Sequence, residues 1–131
     1  MTGLDTNVLV RYFAQDAPIQ SRKAVEVIER GLTEDEPGFV SLVTMVETVW
    51  VLSRAYGLAD GEIARVVEGM LQSDTLVVHN EQEAFTAVAA LRSGHGSFAD
   101  ALVSALSRWA GCDSTLTFDK KAGRMDGFEV I

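Results

Sequence analysis

The feature of this chain that most limits its fold is the regular alternation of short apolar segments with longer amphipathic ones. Short strands that alternate with helices pair in parallel, because each helix returns the chain to the starting edge of the sheet through a right-handed crossover. We therefore predict an α/β protein. The predicted strands are one ending just before Asp5, then 39–42, 75–79, 115–118 and 128–131, and the predicted helices are 8–15, 18–30, 41–56, 61–72, 81–92 and 97–110.

Length, charge and cysteine content limit the classes to which the chain can belong. At 131 residues, 47% of them apolar, we expect one globular domain over residues 1–131. No segment has the roughly 20 apolar residues of a membrane helix, so we expect a cytoplasmic protein with no membrane partner. The 19 acidic and 11 basic residues give a net charge of −8, which argues against a general nucleic-acid coat. The single cysteine, Cys112, excludes an internal disulfide and is expected to be buried.

The opening stretch TGLDTNVLVRYF places polar side chains where the first strand passes into a helix. Asp5, Thr6 and Asn7 stand at the carboxyl end of that strand, the edge at which ligands bind in open α/β sheets. The structural alternative is that Asp5 only caps the helix, since Asp accepts hydrogen bonds from free N–H groups at helix starts. The residues at this junction leave both interpretations open.

A second candidate acid, Glu47, lies in the predicted helix 41–56, which is apolar nearly all round. Such a helix is expected to be buried in the core or at a subunit contact. Glu47 is the only charge between Leu42 and Ser53, and a buried carboxylate without a partner costs several kcal/mol or takes up a proton. We favour a functional role for Glu47 over an ion pair with Arg54.

Two further acids occur at comparable junctions in the second half of the chain. Asp100 follows a predicted Ser97 cap by three residues, and Asp119 stands at the end of the strand 115–118. Each could serve only as a helix-start acid. Parallel strands bring their carboxyl ends to one edge, however, and Glu47 lies only about 9 Å along its helix. We therefore predict one pocket formed by Asp5, Glu47, Asp100 and Asp119.

Such a pocket requires cations, because two carboxylates 4 Å apart repel by as much as about 4 kcal/mol at an effective dielectric near 20. Oxygen ligands without His or Cys suit Mg²⁺ or Mn²⁺ and disfavour zinc. Such ions orient a water molecule, lower its pKa and stabilise charge on a phosphodiester during in-line attack. The reaction class that follows is metal-assisted phosphodiester hydrolysis.

Four motifs in order, GLDTNVLVRYF, TMVETVWVL, FADALVSA and TLTFDKKAG, resemble the PIN-domain ribonucleases, specifically the VapC toxins of prokaryotic type II toxin–antitoxin modules. The resemblance spans essentially the whole chain. It implies a three-layer α/β/α sandwich around a mainly parallel five-stranded sheet, an Mg²⁺- or Mn²⁺-dependent endoribonuclease acting on RNA, and a homodimer silenced by a cognate VapB-type antitoxin. By the same resemblance the four acids bind metal, with hydrogen-bonding support from three further residues: Thr6, Asn7 and Thr117.

Two other functional classes are weighed against this one. A haloacid-dehalogenase-like phosphatase also begins with a strand-end Asp, but it needs a second Asp two residues later, where this chain has Asn7. A catalytically silent PIN-fold module that acts only through a protein partner stays open, although the complete set of acids counts against it.

Neither histidine matches a motif of the family. We expect His79 to be a strand-end residue and keep His95 as a weak candidate because it precedes Asp100 closely.

Overall fold

The computed structural model describes residues 1–131, and contacts within the chain divide it into two compact units, Met1–His79 and Asn80–Ile131. Each unit combines helices with parallel strands, so the predicted α/β class is confirmed. None of the helices combines the length and apolar character needed to cross a bilayer.

The first unit is built on a three-stranded parallel sheet in the order β1-β2-β3. Helix α2 runs on into a π-helical segment, Glu26–Gly31. The central strand packs tightly, since a Cβ added at Gly38 would come within 3.0 Å of the side chains of Leu4, Leu32 and Leu76. The elements are β1 (Thr2–Gly3), α1 (Thr6–Ala14), α2 (Pro18–Val25), β2 (Gly38–Val40), α3 (Leu42–Arg54), α4 (Asp60–Gln72) and β3 (Leu76–Val78).

The core of the first unit is formed by one stripe of each helix and by the middle strand. Ser41 caps helix α3, because its Oγ accepts a hydrogen bond from the Thr44 N–H at 3.1 Å. Burying each large aliphatic side chain stabilises the fold by about 1.5–3 kcal/mol. The largest apolar side chains that are fully buried are those of Leu9, Val40, Met45, Leu52, Val67 and Met70.

The second unit pairs two helices with a two-stranded parallel sheet. Its elements are α5 (Glu81–Arg92), α6 (Phe98–Trp109), β4 (Thr115–Thr117), a 3₁₀ helix (Ala122–Arg124) and β5 (Phe128–Val130). Helices α5 and α6 each bury a stripe of small and apolar residues, and Ser97 caps α6 by accepting a hydrogen bond from the Asp100 N–H at 3.1 Å. This cap matches the one predicted from the sequence.

All five predicted strands are present and every pairing is parallel. The strands form one three-stranded sheet and one two-stranded sheet, and each strand is only two or three residues long. The predicted helix 81–92 coincides with α5, and the other predicted helices agree within a few residues, the long second one being completed by the π-helical segment.

One burial prediction was wrong and another is met only in part. Cys112 is exposed, because it follows the turn at Gly111 that ends α6 and belongs to no packed helix or strand. The core covers only one face of helix α3, since Val43 and Trp50 are 77% and 61% exposed. Burial of the other face at a subunit contact stays a prediction. The unbroken apolar sequence of α3 therefore covers an exposed face as well as a core face, and Glu47 lies on the exposed one.

Candidate active site

Asp5 stands two residues after β1, at the carboxyl end of the three-stranded sheet. The sheet continues to Leu4, whose N–H donates to the Phe39 carbonyl at 2.9 Å, so the chain leaves the ladder directly before Asp5. The Asp5 backbone carbonyl accepts hydrogen bonds from Val8 and Leu9 at 3.1 and 3.3 Å, which starts α1. Its side chain is exposed and makes no capping hydrogen bond. The helix therefore begins without using the Asp5 carboxylate.

The two residues that follow Asp5 face different surroundings. Thr6 is buried at 6% exposure, whereas Asn7 is exposed and lines a groove of about 550 Å³ in the first unit. Both were predicted to support the site by hydrogen bonds. The structure places them in the first turn of α1, directly beside Asp5.

Glu47 lies six residues after the Ser41 cap, which places it about 9 Å along α3 from the carboxyl end of β2. It is exposed and forms no ion pair with Arg54. Val43 and Trp50 flank it at helical spacings of four and three residues, so the three side chains share one exposed face. Glu47 lies past the end of β2 as predicted, on a face of α3 that the core of the chain does not cover.

Asp119 occupies the same position in the second unit that Asp5 occupies in the first, two residues after a parallel strand. Its Oδ1 accepts hydrogen bonds from the backbone N–H groups of Lys121 and Ala122 at 2.8 and 3.3 Å, and so fixes the turn that leads into the 3₁₀ helix. The Thr117 Oγ1 accepts from the Asp119 N–H at 3.0 Å. Thr117 thus fixes the backbone of Asp119, and its role in a metal site stays a prediction.

Asp100 lies in the first turn of α6 and is half-buried. Its N–H donates to the Ser97 hydroxyl, which fixes the start of the helix, and its carboxylate belongs to no ion pair. An acid in the first turn also interacts favourably with the helix dipole, typically by about 0.3–1 kcal/mol. The side chain is therefore held near the helix start by backbone geometry, not by a salt bridge.

The four predicted ligands are divided between the two units, Asp5 and Glu47 in the first and Asp100 and Asp119 in the second. The structure nowhere groups three or more His, Cys, Asp or Glu side chains so that they could hold a metal ion. In chemical type the four donors suit Mg²⁺ or Mn²⁺, because all are carboxylates and none is engaged by a basic side chain. Their convergence on one ion stays a prediction.

A groove that the sequence did not indicate runs along α6 in the second unit. It has a volume of about 530 Å³, and its lining includes His95, Arg108, Trp109 and Arg124. In the sequence, Arg108 and Trp109 are typical of the last turn of a helix, and Arg124 is one basic residue in a turn. Only the packing of α5, α6 and the 124–126 segment shows that they share one cavity.

His79 is an exposed residue directly after β3, as expected, with its ring centre 6.0 Å from that of Phe39.

The PIN domain family model matches residues 4–127, and so covers Asp5, Glu47, Asp100 and Asp119. Proteins with this domain are generally divalent-metal-dependent nucleases. A comparison with curated proteins found no match to the chain.

Proposed function

The chain belongs to the PIN-domain family, and from that membership we propose that it is a metal-dependent endoribonuclease, the toxin component of a type II toxin–antitoxin module of the VapC kind. The observation that carries the proposal is the Asp5 carboxylate. It stands at the carboxyl end of a parallel strand, exposed and free of the capping role that would otherwise explain it. A carboxylate at that edge is suited to binding a ligand.

In this proposal Asp5, Glu47, Asp100 and Asp119 hold Mg²⁺ or Mn²⁺, which would activate a water molecule and stabilise charge on the scissile phosphate. The protein's own part is to fix the carboxylates. The backbone carbonyl of Asp5 starts α1, the Ser97 cap fixes the residues around Asp100, and the Thr117 hydroxyl holds the backbone of Asp119.

Three supporting residues were inferred from the family resemblance. Thr117 has the clearest support, since its hydroxyl binds the Asp119 N–H. Thr6 and Asn7 follow Asp5 in the first turn of α1. We assign them to positioning and not to the chemical step.

The proposed partners are an antitoxin and a second copy of the chain. The groove of the first unit is lined by apolar Val8, Ala24 and Val27 with Arg11 and Lys23 beside them, which suits an apolar peptide segment. The exposed Val43 and Trp50 on α3 are suited to a homodimer contact. A basic residue of the antitoxin would neutralise the acids and compete with metal, and the complex would act in the cytoplasm.

The activity is tested with purified protein and end-labelled RNA. Cleavage is expected in Mg²⁺ or Mn²⁺ and not in chelator, and Asp5→Asn is expected to abolish it. Asp35→Asn is the matched control, because Asp35 is an exposed acid in the loop before β2. If a folded protein, freed of any copurified partner, leaves RNA intact in both metals, the silent PIN-fold module becomes the better description.

The toxin role has a separate test. Expression should arrest growth, and co-expression of the adjacent small open reading frame should restore growth. Light scattering should give the mass of a dimer at micromolar concentration. If no neighbouring gene product relieves the growth arrest, the toxin–antitoxin role fails, while the proposed nuclease activity is unaffected.

A further inference from the structure

The groove along α6 contains a set of side chains that the proposed metal site does not use. Its floor consists of small residues on one face of α6, among them Ala101, Ser104 and Ala105. The Ser104 hydroxyl donates to the Asp126 carbonyl at 2.9 Å, which fixes the 125–127 segment beside the helix. Its volume of about 530 Å³ lies within the range of about 300–1,000 Å³ of small-ligand sites.

Two arginines in this groove have no ion-pair partner. Arg108 lies in the last turn of α6 and Arg124 ends the 3₁₀ helix, and neither forms a salt bridge. The lining contains two acids: Glu83 accepts a hydrogen bond from the Asn80 side-chain amide at 2.9 Å, and Asp126 forms no salt bridge with either arginine. A guanidinium group presents a planar set of donors that matches phosphate, so the groove offers two sites for phosphate oxygens.

The position of Arg108 depends on a close approach of the backbone. A Cβ added at Gly127 would contact the Ser104 hydroxyl and would lie 3.3 Å from a terminal nitrogen of Arg108. Gly127 also has a φ of 91°, which L side chains rarely adopt. The absence of a side chain at residue 127 therefore leaves room for the Arg108 guanidinium beside the groove.

An aromatic platform accompanies the two arginines. Trp109 lines the groove and is 67% exposed, so much of its indole ring is accessible. Nucleobases stack on exposed aromatic rings regardless of their identity, and Arg adds to such stacking. Unpaired bases are required for this contact, because a duplex keeps its bases stacked on each other. The combination favours a single strand over a duplex.

The groove lies on the same helix as one of the predicted metal ligands. Asp100 is in the first turn of α6, and Trp109 is nine residues later, about 13 Å along the axis. Asp119 starts the turn that ends at Arg124. The arginines are thus connected to Asp100 and Asp119 through two short, regular elements.

We propose that this groove binds a single-stranded segment of the RNA substrate, with Arg108 and Arg124 on backbone phosphates and Trp109 stacked on a base. The inference rests on the proposed nuclease function, because only that function makes RNA the occupant. In a chain of net charge −8, local guanidinium groups supply the attraction that the whole molecule lacks. Arg108, Arg124 and Trp109 therefore determine the affinity for RNA and take no part in the chemical step.

Binding is measured in chelator by fluorescence anisotropy with a labelled single-stranded oligoribonucleotide. The double variant Arg108→Ala/Arg124→Ala should weaken binding at least about tenfold and reduce the slope of log K against log salt by about 1.4, since each phosphate contact contributes roughly 0.7. Trp109→Ala should weaken it at least about fivefold, while Trp109→Phe, which keeps an aromatic face, should restore most of the affinity. Arg65→Ala, an exposed arginine on α4, should change nothing.

The outcomes separate the groove from the nuclease. If the wild type binds through the groove but does not cleave in Mg²⁺, the groove stands and the proposed activity fails. If it cleaves while the groove variants bind as Arg65→Ala does, the activity stands and the groove proposal is overturned. Equal affinity for a phosphopeptide or for duplex RNA would also overturn it, as would the absence of binding to single-stranded RNA. Circular dichroism of each variant must show an intact fold.

Discussion

Asp5 and Asp119 occupy equivalent places in the two units, yet their carboxylates are used differently. Each stands two residues beyond a short parallel strand; Asp5 directly precedes α1, and Asp119 lies three residues before the 3₁₀ helix. Asp119 accepts two backbone hydrogen bonds through Oδ1 and so fixes the turn that leads into the 3₁₀ helix. Asp5 makes no such bond, and α1 begins on its backbone carbonyl alone. The carboxylate at this junction therefore has a local structural role in the second unit and none in the first.

This difference shows which of the two acids already has an ordinary explanation. A capping Asp contributes typically about 1 kcal/mol to stability, which is reason enough for its presence in any helical protein. Nothing comparable accounts for Asp5. The functional proposal depends on Asp5 for that reason, and it needs Asp119 to serve in two ways at once, as a cap through Oδ1 and as a ligand.

The largest expected effect is on RNA cleavage. Asp5→Asn and Asp119→Asn should each lower the rate in Mg²⁺ by at least about 100-fold, because each removes a charged metal ligand while keeping side-chain shape. The measurement is a single-turnover rate with labelled RNA. Comparable losses would place the two junctions in one site. Full activity in Asp119→Asn alone would reduce Asp119 to a cap.

The next effect is stabilisation by metal. With a dissociation constant of about 1 mM and about 10 mM Mg²⁺, binding to the folded state contributes roughly 1.4 kcal/mol. For a chain of this size the melting temperature should rise by roughly 3–6 °C. Asp100→Asn should show a much smaller rise.

Melting curves in chelator and in Mg²⁺ at fixed ionic strength measure this difference, and Asp35→Asn should match the wild type. Equal Mg²⁺ shifts in wild type and Asp100→Asn would mean that Asp100 serves only the first turn of α6.

The alternation of strands and helices predicted the class of fold because it is a local pattern. Helix α5 was predicted to the residue, since Glu81 and Arg92 bound an uninterrupted helical pattern that is followed by turn residues. The Ser97 cap was predicted for the same reason, as its partner is only three residues away. Signals of this kind do not depend on the rest of the chain.

Burial and cavities could not be predicted as well, because they depend on which elements pack together. The apolar sequence of α3 left core burial and a subunit contact open, and only the packing shows that Val43 and Trp50 lie on its exposed face. Cys112 is exposed because no helix or strand contains it. Arg108 and Arg124 are 16 residues apart in sequence and share a groove only through tertiary packing. Whether Asp5 caps α1 was likewise a matter of side-chain geometry, which the sequence left open.

The third prediction isolates the cap from the charge. Asn retains a side-chain carbonyl that can accept the hydrogen bonds of Lys121 and Ala122, whereas Ala does not. Asp119→Ala should therefore be less stable than Asp119→Asn by about 1 kcal/mol. At residue 5 the same pair of variants should differ by only a few tenths of a kcal/mol, because no capping bond is lost. Urea unfolding in chelator measures both differences, and equal gaps at the two positions would remove the contrast between the junctions.

The smallest effect concerns Asp16, an acid in the first unit whose carboxylate, unlike that of Asp5, is fully engaged. The hydrogen bond donated by the Tyr56 hydroxyl, assisted by Arg11, lowers the pKa of Asp16 below its ordinary value of 3.8. A lowered folded-state pKa means that the stabilisation is complete above the unfolded-state pKa and is lost as pH falls through the folded-state value. Asp16→Asn should thus reduce stability slightly at neutral pH, and the difference from wild type should shrink as pH falls below about 4. Because the network is solvent-exposed, added salt should also reduce the difference.

Denaturant unfolding from pH 7 to pH 3 measures this trend, and Asp5→Asn in chelator serves as the comparison variant. A pH-independent gap would mean that Asp16 acts through packing and not through its charge, and a gap at Asp5 as large as that at Asp16 would mean that the Asp5 carboxylate is not idle in the folded protein.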